Sequence, residues 1–205
     1  EDENLLDPGD TPEANLQFIV FLTCVIEAVD NYQDLLRMSV ASCGNDHRLG
    51  ANEAPPAIVS IFIGDELTEI LKSIEEDKFF NAHKTIQMDI GAHVLPHFTK
   101  DTTDRNRTSP FAFTGNKFEF RMVGSRDSIA PANVVLNTIV AEAFKEVCDV
   151  LENAEDVDMA VHDLIKKNFT EHQRIVFNGN GYSDEWVEEA KRRGLPNIGC
   201  MVDAV

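Results

Sequence analysis

The sequence predicts an α+β chain: a few antiparallel strands with a hairpin, backed by several helices. Three observations carry that expectation. Residues from Phe18 to Val29 are apolar on nearly every face of a helix, which marks a buried helix. A run around Gly115-Asn116 alternates apolar and charged residues, the pattern of a hairpin. Beyond Pro131 almost every segment has helical spacing.

Taken in order, the first helix is expected from about Pro12 to Ser42, with Thr11 as N-cap and Pro12 in the first helical position. Residues 43–56 contain Gly44-Asn45-Asp46, Gly50 and Pro55-Pro56, so a long irregular loop is expected. Ala57 to Ile63 is β-branched and ends at Gly64, as a strand does. Leu67, Ile70, Leu71 and Ile74 share one face of a short helix from Asp65 to about Glu76. Ile86 to Ile90 alternates like a further strand. The hairpin arms run from Arg107 to Thr114 and from Lys117 to Val123, within residues 107–123. In the second arm Phe118 and Phe120 face one side, and Lys117, Glu119 and Arg121 the other. Helices follow at about 132–153 and 157–173, and Ser183 caps another that ends before Gly194.

At 205 residues the chain is long enough for one core-bearing domain. It opens at Glu1 and stops at Val205 without a cap signal, so both ends are expected to lie inside a longer protein. Acidic residues outnumber basic ones 36 to 18. A net charge of −18 repels phosphate backbones and argues against nucleic acid as a partner. The apolar run Phe18 to Leu22 is too short to span a bilayer. Cys24, Cys43, Cys148 and Cys200 are too scattered for a zinc or dithiol site. Cys24 and Cys148 are expected as core residues, with reduced thiols in a cytoplasmic setting.

Lys117, Glu119 and Arg121 place a carboxylate between two cations on one strand face. Such a row can take a divalent cation on the carboxylate and anionic oxygens on the cations. The plainer reading is a solvated sheet face with alternating charge. Arg105 and Arg107 open the partner arm and add positive charge near Glu119. His47, Arg48 and Glu53 lie in the long loop, as the charged residues of a closing lid do. An ordinary charged surface loop is the competing reading.

Three segments together carry a resemblance. Asn45-Asp46-His47-Arg48-Leu49-Gly50-Ala51-Asn52-Glu53-Ala54-Pro55-Pro56, then Asp104-Arg105-Asn106-Arg107-Thr108-Ser109-Pro110, then Lys117-Phe118-Glu119-Phe120-Arg121 resemble glutamine synthetase, type III in particular. The likeness runs from about Asp7 to the C-terminus. It implies a fragment of that family's catalytic domain over residues 1–153, with a truncated helical C-terminal extension over 154–205. It further implies ligation of ammonia to glutamate through γ-glutamyl phosphate, with ATP as co-substrate and Mg²⁺ or Mn²⁺ as cofactor, in a cytoplasmic, ring-shaped homo-oligomer.

Residue by residue, the resemblance makes Glu119 a metal ligand and gives Arg121 and Arg48 to the glutamate substrate. Glu53 becomes the catalytic flap residue that helps take a proton from ammonium. Arg107 acts at the transferring phosphoryl group. Lys117 lies near the nucleotide, keeping the charge of the usual arginine but not its fork. Five residues after Arg107, where many relatives have another arginine, stands Ala112. Several further metal-binding glutamates of the family have no counterpart in this chain, so the chain alone is expected to be inactive. Two alternatives stay open: a related glutamate–amine ligase, and a non-catalytic helical assembly or binding module. Gly179-Asn180-Gly181 has the spacing of a small phosphate loop, although a tight turn is the simpler reading. His83, His93 and His97 are not spaced as ligands on one helix face, and Trp186 is expected to pack.

Overall fold

The computed structural model describes residues 3–51, 54–77 and 108–205. The opening apolar stretch is not a single helix from 12 to 42. Pro12–Ala14 forms one 3-10 turn, α1 spans Leu16–Asn31 and α2 spans Gln33–Ser39. Thr11 makes no side-chain cap. Asn15 caps α1 instead, its side-chain oxygen accepting from the Phe18 N–H at 3.0 Å and satisfying one of the orphan donors of a helix start. The break falls at Tyr32. Beside it Gln33 Nε2 donates to the Asp30 carbonyl at 3.0 Å, so the backbone acceptor at the end of α1 has a side-chain partner.

The expected loop also begins differently. Residues Cys43–Arg48 form a helix, α3. Ser42 accepts from the Asn45 N–H at 3.2 Å, capping the start of a helix that runs through Gly44. Among the described residues the irregular part begins after Leu49, where the Gly50 N–H donates to the Pro55 carbonyl at 2.8 Å. Ala54, Pro55 and Pro56 are buried.

The strand expected over 57–63 is shorter. β1 is Ile61–Phe62, and Ile58 makes an isolated antiparallel bridge to Asn197. The helix that follows, α4 (Asp65–Glu75), buries Leu67, Ile70, Leu71 and Ile74 as their spacing requires. Each of these contributes about 1.5–3 kcal/mol of apolar burial. β2 (Phe111–Phe113) and β3 (Phe118–Phe120) form the hairpin. The sheet order is β1-β2-β3, with β1 parallel to β2 and β2 antiparallel to β3. The expectation of antiparallel strands alone therefore fails at β1. A parallel neighbour needs a crossover connection, and α4 lies in it. The expected strand at 86–90 lies outside the described residues.

The hairpin pairs Phe111 with Phe120, Ala112 with Glu119 and Phe113 with Phe118. Bonds from Thr114 N–H to the Lys117 carbonyl and from Arg121 N–H to the Pro110 carbonyl, both 2.8 Å, fix the alternation. They leave the phenylalanine pairs at non-hydrogen-bonded positions, where side chains approach most closely. Phe113 and Phe118 accordingly meet edge to face with ring centroids 5.3 Å apart, and Phe111 stacks diagonally on Phe118 at 5.0 Å. Gly115, the first of the two loop residues, has φ +96°, as a type II′ hairpin turn demands.

After the sheet come α5 (Ala130–Leu151), α6 (Val157–His172), α7 (Asp184–Arg192) and a short α8 (Met201–Ala204). Asp156 caps α6, accepting from the Met159 N–H, and Ser183 caps α7, accepting from the Trp186 N–H. α1 packs against both α5 and α6, and α4 also packs on α6. That sandwiching explains why α1 is buried nearly all round. α5 buries only the seam of Ala132, Ile139, Ala143 and Val147. Cys148 lies just off that seam and is exposed, contrary to expectation, while Cys24 on α1 is buried. Burial pushes the Cys24 thiol up to about 12. Trp186 packs as expected, 1% exposed and stacked on Phe177.

Polar side chains also join α6 and the turn after it to α1 and α4. Asn168 Nδ2 donates to Glu27 Oε2 at 2.6 Å, and His172 Nδ1 lies 2.8 Å from Asp30 Oδ2. Arg174 Nε donates to both Asp30 oxygens, and Lys166 donates to Asp77. Among the described residues no helix is long and apolar enough to cross a membrane.

Candidate functional site

β3 sets the geometry. Its phenylalanines turn toward Phe111 and Phe113, so Glu119 and Arg121 share the other side, opposite the buried Ala112. Glu119 Oε2 accepts from Arg121 Nε at 3.2 Å and Nη2 at 3.0 Å, and Oε1 accepts from Thr114 Oγ1 at 3.3 Å. The Arg121 hydrogen bonds hold the Glu119 carboxyl below its ordinary value against a smaller opposing effect of burial, with Thr114 and the Lys117 charge also lowering it. Glu119 is thus ionised, and with its side chain 41% exposed it can still present oxygen to a ligand. Lys117 is exposed at the end of the turn.

Arg48, on the last turn of α3, reaches the chain that follows β3. Its Nη2 donates to the Arg121, Met122 and Val123 carbonyls at 3.4, 3.1 and 3.1 Å. Its Nε donates to Asn45 Oδ1 at 3.0 Å. Asn45, 2% exposed, donates from Nδ2 to the Val40 and Met122 carbonyls, both at 2.7 Å. A guanidinium and a buried amide therefore fasten α3 to the chain just past β3. Asp46 completes the fastening: its Oδ1 accepts from the buried Arg37 Nη2 at 2.6 Å and its Oδ2 from the Met201 N–H. Arg37 Nε donates to the Ile198 carbonyl at 2.8 Å.

Three of the expected site residues, Glu119, Arg121 and Arg48, are brought together at β3, with Lys117 on the same hairpin. Glu53, Arg105, Arg107, His83, His93 and His97 lie outside the described residues. Sequence reasoning missed Asn45, Asp46 and Arg37 as anchors. The first two sit inside the segment that carries the resemblance, but nothing in their spacing shows that their partners are Met122, Arg37 and Met201. Among the described residues there is no group of three or more His, Cys, Asp or Glu able to hold a metal. Glu119 offers hard carboxylate oxygen, which suits a magnesium-type cation, but one carboxylate supplies only a fraction of six ligands. In the Gly179–Gly181 turn the amides of Gly181 and the next residue are already engaged within the protein. The Gly181 N–H donates to Thr108 Oγ1 at 2.8 Å, and Asn180 Oδ1 accepts from the Tyr182 N–H.

Comparison with known proteins points to one family. Residues 160–205 match a family profile described as the glutamine synthetase C-terminal domain. Over 98% of its length the chain is 50% identical to the type-3 glutamine synthetase of Dictyostelium discoideum, of which it covers 28%. It is 50% identical to a glutamine synthetase of Butyrivibrio fibrisolvens over 98% of this chain and 29% of that one. A third relative, from Bacteroides fragilis strain YCH46, is 46% identical over 97% of this chain and 28% of its own. Over nearly its whole length this chain is similar to one stretch of these glutamine synthetases. It spans less than a third of the curated glutamine synthetases it matches. The glutamine synthetase C-terminal profile covers most of α6, all of α7 and α8, and includes His172, Met201 and Gly181, which bind Asp30, Asp46 and Thr108.

Proposed function

We propose that this chain is the flap-and-arginine part of a longer enzyme that ligates ammonia to glutamate, using ATP and passing through γ-glutamyl phosphate. The observation that carries the reading is Glu119 paired with Arg121 on one side of β3 while Arg48 is anchored at the carbonyls that follow. Phosphorylating a carboxylate brings two anions together, so cationic side chains must be fixed before the substrate arrives. Arg121 and Arg48 take the glutamate carboxylates. The pairing with Glu119 holds the Arg121 fork in place, and the backbone carbonyls hold Arg48. Arg107 neutralises charge on the transferring phosphoryl group, and Lys117 contacts the nucleotide. Glu53 closes over the intermediate, excludes water and accepts a proton from ammonium. Glu119 would hold Mg²⁺ or Mn²⁺ together with carboxylates outside this chain; the bound cation supplies charge neutralisation at the phosphoryl oxygens.

By the same argument the chain alone does not turn over, because one carboxylate cannot retain the cation. The working enzyme is a cytoplasmic homo-oligomer in which neighbouring chains complete the site. An acidic chain of net charge −18 suits small-molecule substrates rather than nucleic acid. The test uses the full-length protein with glutamate, ATP and either ammonium or hydroxylamine. Glu119→Ala should lower turnover by about 10² or more, the scale expected when transition-state charge stabilisation is lost. Turnover equal to the parent in that variant removes Glu119 from the site.

A further inference from the structure

We propose that Asn45 is a positioning residue for the two arginines given to glutamate, bonded directly to Arg48 and to the residue that follows Arg121. The inference rests on the role given to those arginines above. Asn45 lies on α3 and is 2% exposed, with both amide protons and the amide oxygen engaged. Its Nδ2 donates to the Val40 and Met122 carbonyls, both at 2.7 Å, and its Oδ1 accepts from Arg48 Nε at 3.0 Å. The Met122 carbonyl also accepts from Arg48 Nη2 at 3.1 Å. Asn45, Arg48 and the Met122 carbonyl thus close a ring of hydrogen bonds, one residue along the chain from Arg121. The Arg121 carbonyl joins it, 3.4 Å from Arg48 Nη2.

An amide suits this place because two carbonyls need N–H donors while a guanidinium needs an acceptor, and a hydroxyl or a carboxylate cannot supply both sides. Turned over, the amide would set its oxygen against two carbonyl oxygens, so its partners fix its orientation. Burial makes either side costly to leave unpaired. The mount is held at other points as well. Val40 is the C-cap of α2, so the amide also satisfies a carbonyl at that helix end. The Asn45 N–H donates to Ser42 Oγ at 3.2 Å, and the Ser42 hydroxyl donates to Asp127 Oδ2 at 3.1 Å, a second tie between the start of α3 and the chain after β3. That chain passes close over the amide: a Cβ at Gly124 would lie 3.3 Å from Asn45 Cγ. Arg48 is half-buried, and with Nε and Nη2 committed to these bonds its Nη1 has no partner among the described residues. One face of that guanidinium is therefore left for a ligand while the other is fixed. A substrate held across two arginines binds best when their spacing is set before it arrives, since the ordering is then not charged to binding.

The experiment compares Asn45→Ala and Asn45→Asp with the parent in steady-state kinetics of the full-length protein. Asn45→Ala removes every bond the side chain makes. Asn45→Asp keeps the shape and the acceptor for Arg48 Nε, but sets carboxylate oxygen against the Val40 and Met122 carbonyls, and its unchanged size serves if the alanine variant does not fold. Each should raise the KM for glutamate about tenfold while the KM for ATP stays within about twofold, because the glutamate arginines alone are loosened. KM does not depend on how much of the protein is folded. A variant that lowers apparent kcat at an unchanged KM for glutamate has only lost folded enzyme, and that result overturns the inference. An equal rise in both KM values overturns it too. A parent protein that does not turn over glutamate, ATP and ammonium defeats the ligase reading and this inference with it. A working parent whose Asn45 variants keep its KM for glutamate defeats this inference alone.

Discussion

Glu27 shows how one buried residue can give the fold a pH dependence. Its side chain lies on α1 against α6, where Asn168 donates to it at 2.6 Å. Burial raises its carboxyl above the ordinary value, Glu146 adds to the rise, His172 and Lys167 oppose it, and Glu171 adds again. A folded-state value above the unfolded one means that the folded state keeps the proton longer. Below the ordinary value both states are protonated and Glu27 costs nothing. As pH rises through that value the unfolded chain ionises first, and stability falls until the folded carboxyl also ionises. Glu27→Gln should remove that share of the slope, read as urea midpoints of parent and variant across the acid range. Identical slopes would exclude Glu27 as the source. Glu119 has the opposite sign: its lowered value makes the Arg121 contact stabilising at neutral pH and lost as pH falls through the folded value.

The hairpin is the element on which the candidate site depends. Its alternation was legible because Phe118 and Phe120 could face only the core, which forced Glu119 and Arg121 to the other side. The turn was legible too, since Gly115-Asn116 fits a two-residue loop. Phe111 is 4% exposed and touches the rings of both Phe118 and Phe120. Phe111→Ala should therefore cost about 3–5 kcal/mol in urea denaturation, the usual range for a large buried aromatic. Amide exchange at Glu119 should quicken with it, and full protection there would show that β3 does not lean on β2. The helix α3 was not legible in the same way. Gly44, Asn45 and Asp46 have turn chemistry, and only the Ser42 cap and the bonds to the chain after β3 tip them into helix.

For the whole molecule, residues 154–205 pack into the same core as those before them. α6 covers one side of α1, Val176 bridges to Ile61, and the Ile198 and Met201 backbone groups bond to Arg37 and Asp46. A chain ending at residue 153 would uncover Glu27 and Asp30 of α1, which are buried in the full chain and bound by Asn168 and His172. It should lose cooperative unfolding and the exchange protection of α1, measured against the 205-residue chain. Retention of both would mean that the later helices are an independent appendage.

The sequence by itself determined which segments are helices in the second half, which face of the hairpin is apolar, and which charged residues stand on the other. Each is a local matter, written in spacing of 3.6 or 2 residues and in caps and turns. The tertiary structure alone decided that β1 runs parallel to β2, that the opening helix breaks at Tyr32, and that Arg37, Asn45 and Asp46 tie α2 and α3 to the chain after β3 and to the backbone at Ile198 and Met201. Those partners lie far apart along the chain, and a hydrogen bond between distant residues leaves no period in the sequence to be read.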